Sequence, residues 1–161
     1  MTTLSRKSYL AEKIVFIDGP PGCGKSLLSQ IFASFDRVEL LSYLYDLEQI
    51  CQLHYLDQVP LDSAAIMIKL QTDLKLYNTM MGRDVNFRST DISSADNNHN
   101  PTKYINRLSG PGDKEIIEII KKQKPILNLA THNLLGYSEP VWKALGARCI
   151  FIEVVRHPLY M

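Results

Sequence analysis

Short apolar runs bounded by turn residues form the clearest pattern in the chain. The runs at 14–17, 126–130 and 149–155 are almost wholly apolar, which is typical of strands covered on both faces of a parallel sheet. A run at 38–41 predicts one more strand. Apolar residues at helical spacing predict helices over 26–34, 43–55, 61–81, 113–122 and 139–145. Strands that alternate with helices indicate an α/β architecture.

The helical spacing also predicts which side chains face the core. In the helix over 26–34 the predicted inner residues are Leu27, Leu28, Ile31 and Phe32. In the helix over 61–81 they are Ile66, Met67, Leu70, Leu74, Tyr77 and Met81.

The segment 82–111 is polar, with a cluster of asparagines at its centre and few apolar anchors. A loop of this length inside a compact domain is usually functional or mobile, so we expect a lid or a substrate segment. Its arginines, Arg83 and Arg88, are candidates for binding an anionic substrate.

A phosphate-binding pattern lies between the first predicted strand and the first predicted helix. Segment 19–26 reads GPPGCGKS and fits G-x-x-x-x-G-K-[ST] at every position. Glycines allow backbone N–H groups to converge on phosphate oxygens, and the helix N-terminus adds partial positive charge. We expect Lys25 to reach the phosphate chain with an exposed ammonium group, and Ser26 to hold a phosphate oxygen or Mg²⁺. The predicted nucleotide-binding residues in this loop are Gly19, Gly22, Cys23, Gly24, Lys25 and Ser26.

Together these features predict a three-layer P-loop fold with a mostly parallel sheet flanked by helices. One domain is expected to span 1–161, and we expect it to be incomplete at its C-terminus because the last strand ends where a covering helix should begin. The chain would then be the N-terminal part of a longer protein.

Composition narrows the class of partner. Of the 161 residues, 45% are hydrophobic and 22% charged, which is typical of a globular domain, and the formal net charge of +1 does not favour nucleic-acid binding.

No apolar run approaches the roughly 18 residues of a membrane-spanning helix. The first residues lack the apolar stretch of a signal peptide, so a cytoplasmic location is expected. The three cysteines have no metal-site spacing.

Enzymes that transfer or hydrolyse a γ-phosphate usually place an Asp at the end of a second strand to hold Mg²⁺. The sequence predicts no such residue, because Glu153 falls inside its predicted strand and Asp18 falls in the turn. The missing acidic residue weakens the interpretation of this chain as an ordinary ATPase or GTPase.

The ends of the last two predicted strands resemble those of the sulfotransferase family of P-loop proteins. That family has a strand ending in Thr-His, a short helix with an aromatic residue, and a strand ending in Arg-x-Pro. Here the corresponding residues are Ala130-Thr131-His132, Trp142 and Val155-Arg156-His157-Pro158, in the same order. The resemblance covers 14–34 and 125–161 and is poor between them.

The resemblance implies roles for two residues. His132 would be the catalytic base that takes a proton from the acceptor hydroxyl or amine, beside Lys25 as the second catalytic group. Arg156 would bind the 3′-phosphate of the donor, 3′-phosphoadenosine 5′-phosphosulfate. The acceptor, an unidentified small molecule or carbohydrate, would be the other partner. The chain departs from the family at Gly22, where a basic residue is common, and at Ala130, where a lysine is common.

Two other functions stay open at this point. The intact Gly24-Lys25-Ser26 also fits a small-molecule kinase that uses ATP with Mg²⁺, in which Ser26 is a metal ligand. The chain could also be a nucleotide-binding fragment without turnover.

Overall fold

A four-stranded, all-parallel β-sheet flanked by helices forms the centre of the structure, a computed structural model that describes residues 8–157 and 159. The strand order is β2-β3-β1-β4. The strands are β1 (Lys13–Asp18), β2 (Val38–Tyr43), β3 (Ile126–Ala130) and β4 (Cys149–Glu153). The helices are α1 (Lys25–Phe32), α2 (Tyr45–Tyr55), α3 (Leu61–Met80), α4 (Pro101–Arg107), α5 (Asp113–Gln123) and α6 (Glu139–Leu145). Short 3-10 turns occupy Ala95–Asn97, Leu134–Tyr137 and Gly146–Arg148.

The predicted α/β class is confirmed, and two elements have the bounds predicted for them. Pro125 precedes β3, and α6 ends at Leu145, just before Gly146, whose positive φ of 52° suits a residue without a Cβ. Strong local stop signals therefore fixed these boundaries. The last strand ends earlier than predicted, at Glu153.

The two faces of the sheet are covered differently. Ile14, Phe16, Leu127 and Leu129 are fully buried in the main core, together with residues of α2, α3, α5 and α6. Side chains that alternate with these along a strand lie on the opposite face, where α1 packs. On that face the Asn128 amide donates to the Ser29 carbonyl oxygen at 3.0 Å, and the Ser29 hydroxyl lies 2.9 Å from Asn128 Oδ1.

This polar contact corrects the predicted inner face of α1. Leu27 and Ile31 are 64% and 51% exposed, while Leu28 and Phe32 are half-buried. The side of α1 that faces the sheet carries Ser29 instead, which is fully buried. A small side chain allows the helix to lie close to the sheet and to exchange hydrogen bonds with β3.

The predicted face of α3 was right only for Tyr77 and Met81, which pack against the main core. Met67, Leu70 and Leu74 are exposed by 43–54%, and Ile66, Tyr77 and Met81 are half-buried. The residues of α3 that are buried are Ala64, Ala65, Ile68, Thr72, Asp73, Leu76, Thr79 and Met80. Since α3 is apolar on more than one side, helical spacing fits two faces equally well. The alanines allow a close approach, so that face packs inward.

Segment 82–111 is more ordered than predicted. It contains α4 and the Ala95–Asn97 turn. Its Ala95 and Tyr104 are buried against Leu40 of β2, and its Val85 and Phe87 are half-buried beside them. The expectation that the segment has few apolar anchors is therefore incorrect. A role as a lid or substrate segment stays a prediction.

A buried ion pair attaches this segment to the sheet. Glu39 in β2 is 1% exposed, and both its carboxylate oxygens accept hydrogen bonds from Arg107, at 2.7 and 2.9 Å. Lys103 lies 3.1 Å from the same carboxylate. Burial by itself would raise the pKa of Glu39, but Arg107 and Lys103 outweigh it, and the pKa lies below its usual value.

We expect Arg107→Ala to lower the free energy of unfolding by about 3–5 kcal/mol, because the variant leaves a buried carboxylate without its bidentate partner. Urea denaturation at neutral pH measures this. Lys103→Ala is the matched control and should cost less, since Lys103 is one-third exposed.

The difference in the free energy of unfolding between the parent and Arg107→Ala should also depend on pH. A lowered pKa in the folded state contributes stability above the unfolded value of about 4.3 and loses it as the pH falls through the folded value. The stabilities of the parent and of Arg107→Ala should therefore converge on acidification. A neutral-pH difference below about 1 kcal/mol would contradict the assigned role of the pair.

Candidate functional site

The candidate site lies at the carboxyl edge of the sheet, where β1, β3 and β4 end side by side. In the strand register Ile17 is opposite Ala130, and Asp18 is opposite Glu153. The helix after β1 packs on one face and the helix after β3 packs in the main core on the other. The adjacent strands β1 and β3 therefore form a topological switch point, where open α/β sheets bind ligands.

The glycine-rich loop after β1 has a backbone that only glycines suit. Gly19, Gly22 and Gly24 have φ values of 143°, 82° and 99°. A Cβ on Gly19 would lie 2.4 Å from the Val154 carbonyl oxygen and 2.9 Å from the Cys23 sulfur, so no side chain fits there. A Cβ placed on Gly22 or on Gly24 would meet no neighbouring atom within 4 Å, so there is room for a ligand beside the loop.

The first amides of α1 have no hydrogen-bond partner among the described residues. Gly24 is the N-cap residue, and it supplies no side-chain acceptor for the first amides of the helix. These amides, together with the helix dipole, attract an anion. Ser26, in the first turn, is half-buried. Cys23 is 7% exposed and packs behind Gly19, so its thiol belongs to the interior of the loop.

The Lys25 side chain is buried, whereas its ammonium group was expected to be exposed. Its side chain is only 5% exposed, and Nζ donates to the Pro20 carbonyl oxygen at 3.3 Å. The lysine therefore folds back across the loop that precedes it. This places a positive charge within the same loop as the unpartnered amides.

Asp18, the last residue of β1, joins this loop to the end of β3. The carboxylate is fully buried. Its Oδ1 accepts from the Thr131 hydroxyl at 2.8 Å, and its Oδ2 accepts from the Leu135 amide at 2.9 Å. Both oxygens are therefore engaged within the protein, and the position of Thr131 relative to the loop is fixed.

Glu153 is the last residue of β4 and lies beside Asp18. Partial desolvation raises the pKa of Glu153, the charge of Asp18 and a hydrogen bond with it raise it further, and Lys25 lowers it. Both acidic residues thus lie at strand ends. This corrects the sequence interpretation, which placed Glu153 inside its strand and Asp18 in the turn.

His132 follows Thr131 and is held by a carboxylate that the sequence did not identify. Glu48, in α2, accepts from the backbone amide of His132 at 2.9 Å, and its other oxygen lies 3.3 Å from His132 Nδ1. With Glu48 ionised, Nδ1 carries the ring proton and the lone pair of Nε2 stays available. The rings of Tyr43 and Tyr45 lie nearly parallel to the imidazole at 6.3 and 6.0 Å.

The predicted arginines fall into two groups. Arg156 is exposed and donates to the Gly22 carbonyl oxygen at 3.4 Å, so the structure brings it beside the glycine-rich loop. Arg83 and Arg88 are exposed in segment 82–111, and Arg88 contacts Thr90 and Asp91 of that same segment. In the part of the chain that the structure describes, neither makes a hydrogen bond or an ion pair with the loop.

Trp142 and Pro158 are the remaining residues of the family resemblance. Trp142 packs in α6 against Phe151, at 5.9 Å between ring centroids, and its indole N–H donates to the Ser138 hydroxyl. It therefore supports β4. Pro158, the last residue of the Arg-x-Pro resemblance, lies outside the described residues.

Within residues 8–157 and 159, no group of three or more His, Cys, Asp and Glu side chains could hold a metal ion. None of the described helices is of a length and hydropathy that would cross a bilayer.

Comparison with known proteins gave no match to any family model, curated protein or solved structure.

We expect Gly19→Ala to destabilise the fold by about 1–3 kcal/mol and to disturb the loop, because the added methyl group would press against the carbonyl oxygen of Val154, the residue after β4, and the backbone φ is strained for alanine. Thermal denaturation measures the effect. Gly136→Ala is the matched control, since a Cβ there meets nothing within 4 Å. Equal stability of the two variants would show that the loop does not need its glycine at position 19.

Proposed function

We propose that the chain is a P-loop nucleotide-binding group transferase that moves a sulfuryl group from 3′-phosphoadenosine 5′-phosphosulfate to a hydroxyl or amine acceptor. One observation carries the proposal. The glycine-rich loop, with Lys25 folded across it, and the Glu48–His132 pair lie at the same edge of the sheet and are linked through Asp18 and Thr131. An anion site and an oriented base are the two parts that this reaction needs.

Binding of the donor follows from the loop. The first amides of α1 and the hydroxyl of Ser26 would hold the 5′-phosphosulfate oxygens, and the Lys25 ammonium would give up its contact with Pro20 to reach them. Arg156, next to Gly22, would bind the 3′-phosphate by charge-assisted hydrogen bonds. The residues supply these contacts without a metal ion.

Catalysis in this proposal uses two side chains. Nε2 of His132 takes the proton of the acceptor hydroxyl as the acceptor oxygen bonds to sulfur and the bond from sulfur to the bridging oxygen breaks. Lys25 stabilises the negative charge that develops on the departing phosphate. Glu48 holds the imidazole in place and stabilises it when it becomes protonated. The products are the sulfated acceptor, 3′-phosphoadenosine 5′-phosphate and a proton.

A second function is favoured by the acidic strand ends. Glu153 lies beside Asp18 and close enough to Lys25 for the two charges to interact. With Ser26, Glu153 could hold Mg²⁺ on a triphosphate, because Mg²⁺ usually takes one or two protein carboxylates and completes its shell with phosphates and water. This arrangement would suit an ATP-dependent small-molecule kinase, with His132 as the base for the acceptor.

Calorimetric titration with 3′-phosphoadenosine 5′-phosphate and with ATP, each with and without Mg²⁺, separates the two functions. The sulfotransferase proposal expects tighter binding of the 3′-phosphorylated nucleotide and no need for Mg²⁺. Tighter binding of ATP only when Mg²⁺ is present would favour the kinase. Failure of both nucleotides would overturn the proposed class.

We expect Lys25→Met to weaken nucleotide binding by about ten- to a hundredfold or more while keeping the fold, since methionine retains the apolar stem and removes only the charge. Titration measures the affinity and circular dichroism checks the fold. Lys121→Met changes an exposed lysine of α5 and is the matched control. An affinity equal to that of the control would contradict the assignment of Lys25.

We expect Arg156→Ala to weaken the binding of 3′-phosphoadenosine 5′-phosphate by about ten- to a hundredfold. The binding of 5′-AMP, which lacks the 3′-phosphate, should be almost unchanged. Titration of both nucleotides into parent and variant measures the difference. Lys122→Ala, which removes an exposed positive charge from α5, serves as the control. An equal loss for both nucleotides, or for neither, would rule out the sulfotransferase proposal.

A further inference from the structure

Helix α3 has apolar side chains on two opposite sides. On one side Ile68 and Leu76 are fully buried in the main core. On the other side Met67, Leu70 and Leu74 are 43%, 46% and 54% exposed. At about 100° of rotation per residue, these three lie within roughly 60° of one another and about opposite the core-facing pair. A surface helix normally has one apolar face, so the second face needs a physical explanation.

The exposed side follows the spacing of a coiled coil. Met67, Leu70, Leu74, Tyr77 and Met81 are separated by three, four, three and four positions, the alternation of a and d positions in heptads. We call these five residues the α3 seam. The last two are half-buried against the main core. The first three therefore form the exposed part of the seam.

An open groove of about 310 Å³ adjoins the seam. The Asp73 carboxylate lies in this groove, where its Oδ1 accepts from the amides of Leu10 and Ala11 at 2.8 and 3.0 Å. The charge of Asp73 is thus engaged by the backbone, and the remaining walls suit an apolar side chain of a second helix. The groove is lined by Leu10, Leu70, Gln71, Asp73, Leu74 and Tyr77.

The seam is complementary to a second copy of itself in the antiparallel direction. A two-fold axis between Leu70 and Leu74 would place Leu70 of each copy opposite Leu74 of the other. The same axis would place Met67 opposite Tyr77, and a methionine sulfur packs favourably against an aromatic ring. Each layer then combines one a with one d position, and the same patch serves both copies, as a two-fold interface requires.

The charges at the ends of the seam favour this direction. Asp62 lies in the first turn of α3 and Arg83 lies just beyond its last turn, and both are exposed. Within the part of the chain that the structure describes, neither side chain has an ion-pair partner. Antiparallel pairing would bring Asp62 of each copy toward Arg83 of the other. Parallel pairing would bring like charges together at both ends. The residues that flank the seam, Gln71 and Asn78, are uncharged and repel neither arrangement.

We propose that the chain forms a two-fold dimer in which the α3 seams of two copies pair antiparallel. The interface buries Met67, Leu70 and Leu74 of both copies and fills each groove with side chains of the other copy. It is small, so the dissociation constant should be on the order of 10–100 µM. The inference goes beyond the proposed function and does not rest on nucleotide binding.

Sedimentation velocity over loading concentrations from about 5 to 500 µM tests the dimer. We expect the parent to change from monomer to dimer across this range. A parent that stays monomeric at the highest concentration would overturn the proposal. A dimer that does not dissociate at the lowest concentration would also contradict it, because the seam is too small for such affinity.

Leu74→Glu tests whether α3 forms the interface. The side chain is half-exposed, so the fold should survive, which circular dichroism checks. A carboxylate inside the apolar seam should weaken dimerisation at least about tenfold. Leu53→Glu, the same change at an exposed leucine of α2, is the matched control and should dimerise like the parent. Leu70→Glu repeats the test at the neighbouring seam residue. Equal dimerisation of the α3 variants and the control would overturn the interface.

Cysteine cross-linking tests the antiparallel direction. Leu70→Cys and Leu74→Cys proteins are prepared separately and are then oxidised with oxidised glutathione, alone and as a mixture. The mixture should cross-link most efficiently, because residue 70 of one copy lies opposite residue 74 of the other. The parent, in which Cys23 and Cys51 are buried and Cys149 is half-buried, gives the background. Cross-linking that is as efficient in the separate proteins as in the mixture, or only at background level in the mixture, would overturn the antiparallel seam.

Discussion

The carboxylate of Asp18 holds together the segments on which the candidate site depends. It ends β1, is fully buried, and accepts one hydrogen bond from Thr131 and one from the Leu135 amide. A buried charge is tolerated only with such partners, because its desolvation is otherwise too costly. The glycine-rich loop begins one residue after Asp18, and His132 follows Thr131. The Asp18 side chain and the pairing of β1 with β3, which extends to a hydrogen bond from the Thr131 amide to the Ile17 carbonyl oxygen at 3.1 Å, together set the spacing between the proposed anion site and the proposed base.

Other polar contacts in the interior position the elements around this centre. Asn128 in β3 bonds to Ser29 and so holds α1, with the loop before it, against the sheet. Glu39 in β2 attaches α4 through Arg107. Because α1 exposes much of its apolar surface, its position depends on directional hydrogen bonds more than on apolar burial. Such bonds restrict both the distance and the angle between the helix and the sheet, which suits a helix whose first turn is proposed to bind phosphate.

The sequence predicted what local signals determine. Pro125 and Gly146 set the bounds of β3 and α6. The glycines of segment 19–26 predicted a tight loop, and in the structure Gly22 and Gly24 have left-handed φ values. Helix faces were harder, because α3 is apolar on several sides and only tertiary packing decides which side is buried. The order within 82–111 was missed because its anchors, Ala95 and Tyr104, depend on contact with Leu40 in β2.

Pairs that are distant in sequence could not be predicted from one chain. Glu48 and His132 are 84 residues apart, and Asp18 and Thr131 are 113 apart. Nothing near Glu48 in the sequence distinguishes it from a solvated helical glutamate. The strand-end position of Glu153 was misjudged because the apolar run continues for two residues beyond the last residue of β4.

The acidic strand ends also affect how the two candidate donors would be bound. Glu153 holds its proton more readily than an isolated glutamate, because desolvation and Asp18 act in the same direction and only Lys25 opposes them. A terminal phosphoryl group carries more negative charge than a sulfuryl group, so without a metal ion it is repelled more strongly by these carboxylates. Mg²⁺ would reverse this, since Glu153 would then be a ligand and its ionised form would be stabilised. If the loop binds a nucleotide as proposed, the same pair of residues would disfavour a free triphosphate, tolerate a phosphosulfate, and accept a triphosphate only together with its metal ion.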